Sequence, residues 1–165
     1  EAVVTVGSFT GGLASNIIPD TAEMGGTVRT FTPENRDLLE KRIGEIAAGI
    51  GEALGAKIDY TYTRGYPATV NDPVMTELVR EEAAKVAGED GVENPALMMG
   101  AEDFSYVLEK VPGAMFFLGV AHEGADWHNC HSIHSTRMVV DESALPRGAA
   151  LLAGLAERFL DKGWD

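Results

Sequence analysis

The feature that most limits what this chain can fold into is a change of apolar period near residue 32. Before it, residues 2–9 alternate Val3, Thr5 and Gly7 against Val4, Val6 and Ser8, which is the two-residue period of a strand. Residues 22–30 predict a second strand, in which Gly25-Gly26 marks a bulge or a close approach of backbone. After it, Leu39, Ile43, Ile46, Ile50 and Leu54 recur every three or four residues and make one helical stripe. Thr32 is a good N-cap, Pro33 suits the first helical position, and Gly55 stands where helices commonly stop. Residues 58–63, Ile-Asp-Tyr-Thr-Tyr-Thr, alternate again and predict a third strand. The order specifies an α+β layer, an antiparallel sheet with a helix on one face.

Turn chemistry at Gly65, Pro67 and Asn71-Asp72-Pro73 predicts a domain boundary near residue 69. Beyond it, a helix starts at Asp72-Pro73 and runs to about Ala87, and a short helix over 102–111 is closed by Pro112-Gly113. Residues 114–120 are continuously apolar and predict a strand buried on both faces. A polar loop over 121–135 follows. Asp141 or Ser143 then caps a last helix with Leu145, Ala149, Leu152, Ala156 and Phe159 on one face. The expected fold class is therefore α+β over 1–69, followed by part of an α/β layered domain over 70–165.

Charge narrows the functions. A net charge of −13 and a sequence pI near 4.6 repel nucleic acid phosphates and anionic lipid, so neither is an expected partner. No apolar run approaches the roughly 20 residues that a membrane helix needs. Cys130 is the single cysteine, which excludes an internal disulfide and fits a cytoplasmic location.

His122, His128, Cys130, His131 and His134 cluster in the polar loop. Imidazole and thiolate suit zinc, but the spacing lacks the two separated ligand pairs of a closed structural site. A small zinc-binding module using His128, Cys130, His131 and His134 stands beside a plain solvated loop. Glu102-Asp103 reads either as helix-start charge favoured by the dipole, or as part of a substrate-facing loop or an acid in a metal site. Arg29 lies on a strand, where it either faces solvent or offers its fork to a carboxylate.

Five segments taken in order resemble the M20 family of amidohydrolases and peptidases. They are Asn16-Ile17-Ile18-Pro19-Asp20, Gly26-Thr27-Val28-Arg29-Thr30-Phe31, Met99-Gly100-Ala101-Glu102-Asp103-Phe104-Ser105-Tyr106, Phe116-Phe117-Leu118-Gly119, and His134-Ser135 ahead of Val140-Asp141-Glu142. The set is most similar to the branch of hippurate hydrolase, N-acyl amino acid amidohydrolases and plant auxin-conjugate hydrolases. The resemblance implies a catalytic α/β domain holding two divalent ions, zinc or manganese, and an inserted lid domain through which the enzyme forms a homodimer. It assigns 1–69 to the later part of the lid and 70–165 to the return into the catalytic domain. It makes His134 a metal ligand, and Asn16 and Arg29 lid residues that reach a partner subunit's substrate. Gly100 and Glu102 fall in a loop beside the substrate, a small N-acyl amino acid. It also implies that this chain lacks the family's Cys-x-His pair, its paired glutamates and two further histidines, so that the active site here is incomplete and the isolated chain inactive.

Overall fold

Backbone pairing between the first two segments organises the N-terminal part of the protein. We describe it from a computed structural model covering residues 1–122, 124–126 and 129–163. Strand β1 (Ala2–Gly11) pairs antiparallel with β2 (Ala22–Thr30), from Ala2 opposite Thr30 to Gly11 opposite Ala22. The ladder is interrupted once: Val6 pairs with Gly26 and Ser8 with Gly25, leaving Gly7 as an extra residue. The bulge is thus on β1, and the glycines opposite it serve close approach. A Cβ at Gly26 would meet the Thr5 carbonyl oxygen at 2.3 Å.

Helix α1 (Pro33–Leu54) forms for the reasons legible in its ends. Thr32 Oγ1 accepts from the Asn35 N–H at 3.3 Å, Pro33 occupies the first turn, and Gly55 closes the helix at φ 70°. The predicted third strand is different. Residues 56–65 run without a ladder partner among the described residues and instead lie along α1. Tyr60 covers Gly44 and Ile58 covers Gly51, so a Cβ at either glycine would come within 2.9 or 3.0 Å of those side chains. The Tyr60 hydroxyl donates to the Glu40 carbonyl, Arg64 pairs with Asp37 and Glu40, and Arg36 donates to the Gly65 carbonyl. Alternation put the right side chains on one side, but a strand also needs a neighbour for its backbone.

The chain divides into two compact units, 1–69 with 97–106, and 70–96 with 107–165. In the second unit, α2 (Pro73–Ala87) is capped by Asp72, whose carboxylate accepts from the Met75 N–H at 3.0 Å. It packs on α4 (Leu145–Lys162). The predicted helix over 102–111 is only one turn, α3 (Ser105–Leu108). Asp141 caps a 3-10 turn, Glu142–Ala144, that leads into α4 rather than capping α4 itself. The face of α4 turned inward also differs from the predicted one. Leu151 is buried, Gly148 lies under Leu118 and Gly154 under Glu82, whereas Leu145 and Leu152 are exposed. The glycines decide this, because they let neighbouring groups come closest on their side.

Residues 114–120 are likewise no strand among the described residues. Asn71 holds the start of the segment by exchanging hydrogen bonds with the Met115 backbone at 2.8 and 2.9 Å, while Phe117 is 63% exposed. The protein exposes 13096 Å² of surface, where two compact bodies of half its mass would together expose about 9,500 Å² on the scaling for folded monomers. Met75 and Leu151 are the only buried large hydrophobic side chains among the described residues.

One charged group is buried between α2 and α4. Glu82 is 6% exposed, pairs with Lys85, and receives Arg158 Nη1 at 3.3 Å while Glu81 receives the same atom at 2.6 Å. Lys85, then Arg158, hold its carboxyl below the usual range against the opposing effect of burial. A carboxylate lowered in the folded state contributes stability above its unfolded pKa of about 4.3, and that contribution is lost as pH falls through the lower folded value. Glu82→Gln is expected to cost about 1–3 kcal/mol at pH 7 and to flatten the acid limb of the stability curve, measured by urea unfolding between pH 7 and pH 3. Gly44→Ala is expected to cost about 1–3 kcal/mol by displacing Tyr60, measured as a fall in the urea midpoint.

Candidate functional site

The β1–β2 hairpin carries two of the sequence-predicted site residues and holds them apart. Arg29 lies opposite Val3, seven residues along β2 from Ala22, a span of about 23 Å at the usual strand rise. Asn16 is exposed in the loop that joins the strands at the other end. The two do not converge within one chain.

Arg29 is joined instead by a segment seventy residues away. Its Nη1 donates to the Met99 carbonyl oxygen at 2.7 Å. That bond sets the guanidinium beside the peptide that leads into Gly100, so Arg29, Gly100 and Glu102 belong to one neighbourhood in the first unit. Gly100 has open space where a Cβ would stand, so the loop does not need glycine there to avoid a clash. Glu102 is half-buried and turns back on its own loop, Oε1 lying 3.5 Å from the Phe104 N–H. The acid is thus placed at the start of a turn rather than aimed at a charged partner.

What fixes this turn was not singled out from sequence. Ser105 is 1% exposed, the most buried side chain of the described residues. Its hydroxyl donates to the Glu102 carbonyl at 2.6 Å and its N–H to the same oxygen at 3.3 Å. Tyr106 follows, with its ring edge-on to Tyr66 at 5.7 Å. A serine three residues after an acid at a helix start is a common local pattern, so nothing in the sequence distinguished it.

His134 belongs to the second unit and is set by backbone rather than by side-chain contacts. It is the only non-glycine residue with positive φ, 70°, among the described residues. A left-handed backbone costs an ordinary L-residue about 1–2 kcal/mol, and such conformations gather at functional sites. The following residues turn tightly, with Ser135 N–H on the Ser132 carbonyl and Arg137 N–H on Ser135 Oγ. The loop ends where Asp141 N–H donates to the Val120 carbonyl at 2.8 Å. His122 Nδ1 lies 3.6 Å from Asp141, whose carboxyl is held below its usual range by hydrogen bonds from Ser143. Cys130 is exposed, its thiol 3.6 Å from the Asp126 carbonyl. His128 lies outside the described residues. Among the described residues no three histidine, cysteine or acidic side chains come together to hold a metal ion.

Comparison with known proteins gives the family. The model of peptidase family M20/M25/M40 matches residues 4–158, and the chain belongs to that family. It is 38% identical over 154 residues to an N-acetyldiaminopimelate deacetylase of Enterococcus faecalis, covering 93% of this chain and 39% of that protein. It is 36% identical over 161 residues to an N-acetyl-L-cysteine deacetylase of Bacillus subtilis, covering 98% of this chain and 36% of that one. The crystal structure of the Bacillus subtilis YXEP protein, described as a dinuclear metal binding peptidase from the M20 family, superposes with a TM-score of 0.80 at 30% identity, covering 98% of this chain and 42% of that one. The chain thus spans about two fifths of the length of these relatives.

The backbone at His134 can be tested without any assay. His134→Gly should be more stable than His134→Ala by about 1 kcal/mol, because only glycine takes the left-handed conformation at no steric cost. Urea unfolding of the two variants measures the difference.

Proposed function

We propose that the full-length protein is a metal-dependent amidohydrolase that cleaves the amide bond of N-acyl amino acids, hippurate-like substrates among them, with zinc or manganese as its metal. The observation that carries this reading is His134, a metal-capable side chain kept in an unfavourable backbone conformation in the position that matches the family's last ligand. The named activities of the deacetylase relatives and the dinuclear metal of the YXEP protein support it. The described residues do not assemble a ligand set of their own, so His134 would be one contributor among ligands from elsewhere in the protein.

The chain's own share is recognition and orientation. Residues 1–69 act as the later part of a lid and 70–165 as the return of the catalytic domain. Arg29 offers a planar fork that matches a substrate carboxylate in two parallel bonds; its bond to Met99 favours a substrate beside its own chain's Gly100–Glu102 turn over the partner subunit's substrate that the resemblance implies. Asn16, at the far end of the hairpin, keeps the role across a lid-mediated homodimer. A cytoplasmic location fits the single, exposed Cys130, and no helix among the described residues is long and apolar enough to cross a membrane.

In full-length protein, His134→Ala is expected to lower kcat on the order of 100-fold or more. Arg29→Ala is expected to raise KM for an N-acyl amino acid about 10- to 100-fold, the worth of a hydrogen bond to a charged group, and to leave KM for the matching carboxamide almost unchanged. Steady-state hydrolysis of hippurate and its carboxamide reads both, and full turnover in both variants would sink the assignment.

The exposed apolar surface favours a second reading for these residues taken alone: a non-catalytic module that associates to cover its open faces. Light scattering after size exclusion should then show concentration-dependent oligomers of the 165-residue chain. A monodisperse monomer would dismiss the idea.

A further inference from the structure

The Met99–Glu102 segment is held at two points and is irregular between them. On its C-terminal side Ser105 is buried, with its hydroxyl and its N–H both on the Glu102 carbonyl. On its N-terminal side, Arg29 Nη1 donates to the Met99 carbonyl at 2.7 Å, the tie to the hairpin. Gly100 stands between the anchors, exposed and with nothing within 4 Å of where a Cβ would stand, so no side-chain packing on that face holds it. A backbone without regular structure or packing takes its position from the few hydrogen bonds that reach it.

We infer that Arg29 is a positioning residue for the Met99–Glu102 turn, in addition to binding a carboxylate. The chemistry allows both at once. A guanidinium has five N–H donors; one N–H of Nη1 serves the Met99 carbonyl, and Nε with Nη2 remain as a fork for a carboxylate. The same side chain then fixes the distance between the substrate's acid end and the peptide at Gly100. Lysine would separate the two roles, because an ammonium reaches a carbonyl but offers no planar fork. The inference rests on the proposed function only for the carboxylate; the hold on Met99 stands apart from it.

The test uses full-length protein labelled with 13C-carbonyl methionine and 15N-glycine. Within residues 1–165 only the Met24–Gly25 and Met99–Gly100 peptides then give a carbonyl-to-amide correlation, one inside β2 as a control and one at the turn. Arg29→Ala should move the Met99–Gly100 signal and lower the Gly100 amide order parameter from about 0.85 to below about 0.6, with Met24–Gly25 still rigid. Arg29→Lys should keep Met99–Gly100 near its original state while KM for the acid substrate rises as in Arg29→Ala, and only Arg29→Ala should also lower kcat, by about tenfold for a misplaced loop. The inference is overturned if the Gly100 signal ignores both substitutions, or if Arg29→Ala loosens Met24–Gly25 equally, which would mean general destabilisation. If KM is unchanged in both variants while Gly100 still loosens in Arg29→Ala, the carboxylate role fails and the positioning role stands.

Discussion

A backbone N–H or C=O that leaves water must find a partner, and in this protein that requirement decides which apolar segments become strands. β1 and β2 satisfy each other along a ladder of nine paired positions. Residues 58–63 and 114–120 have strand-like side chains but no ladder among the described residues, and their side chains settle where a surface is offered. For 58–63 that surface is the glycine seam of α1, and for the start of 114–120 it is the Asn71 amide, which stands in for a neighbouring strand. The large exposed area follows directly.

The features legible in the sequence were those whose causes are local. The N-cap of α1, its Pro33 and its Gly55 stop are each specified within a few residues, and the structure has all three. The two strands of the hairpin were legible because their residue patterns over 2–9 and 22–30 are local. The inward face of α4 was not, since Leu151 and Leu152 are equally apolar and the choice between them was made by Gly148 and Gly154, whose value appears only with Leu118 and Glu82 beside them. Counting apolar residues gives the period of a helix but not the side on which neighbours come closest.

The site divides in the same way. Arg29 and Glu102 were picked out as residue types suited to substrate, but their shared neighbourhood depends on one hydrogen bond across seventy residues, which no spacing rule contains. The left-handed backbone at His134 was equally hidden, because histidine in that conformation has no sequence marker. Family resemblance supplied its importance, and the backbone supplied an independent physical reason to single it out. Ser105 went unnoticed because a buried hydroxyl bonded to a main-chain oxygen looks, in sequence, like any serine near a helix start.

The bulge at Gly7 does more than bend β1. In an uninterrupted strand, Val4, Val6, Ser8 and Thr10 would share a face. With Gly7 left over, Val6 lies opposite Gly26 and Phe9 opposite Met24, so Val4, Val6, Phe9, Met24 and Val28 gather on one side, while Ser8, Thr10, Thr27 and Arg29 gather on the other. A single unpaired glycine therefore acts as a parity switch. It gathers most of the large apolar side chains of the hairpin on one side, Val3 excepted, and it keeps Phe9 from sharing a surface with the guanidinium of Arg29.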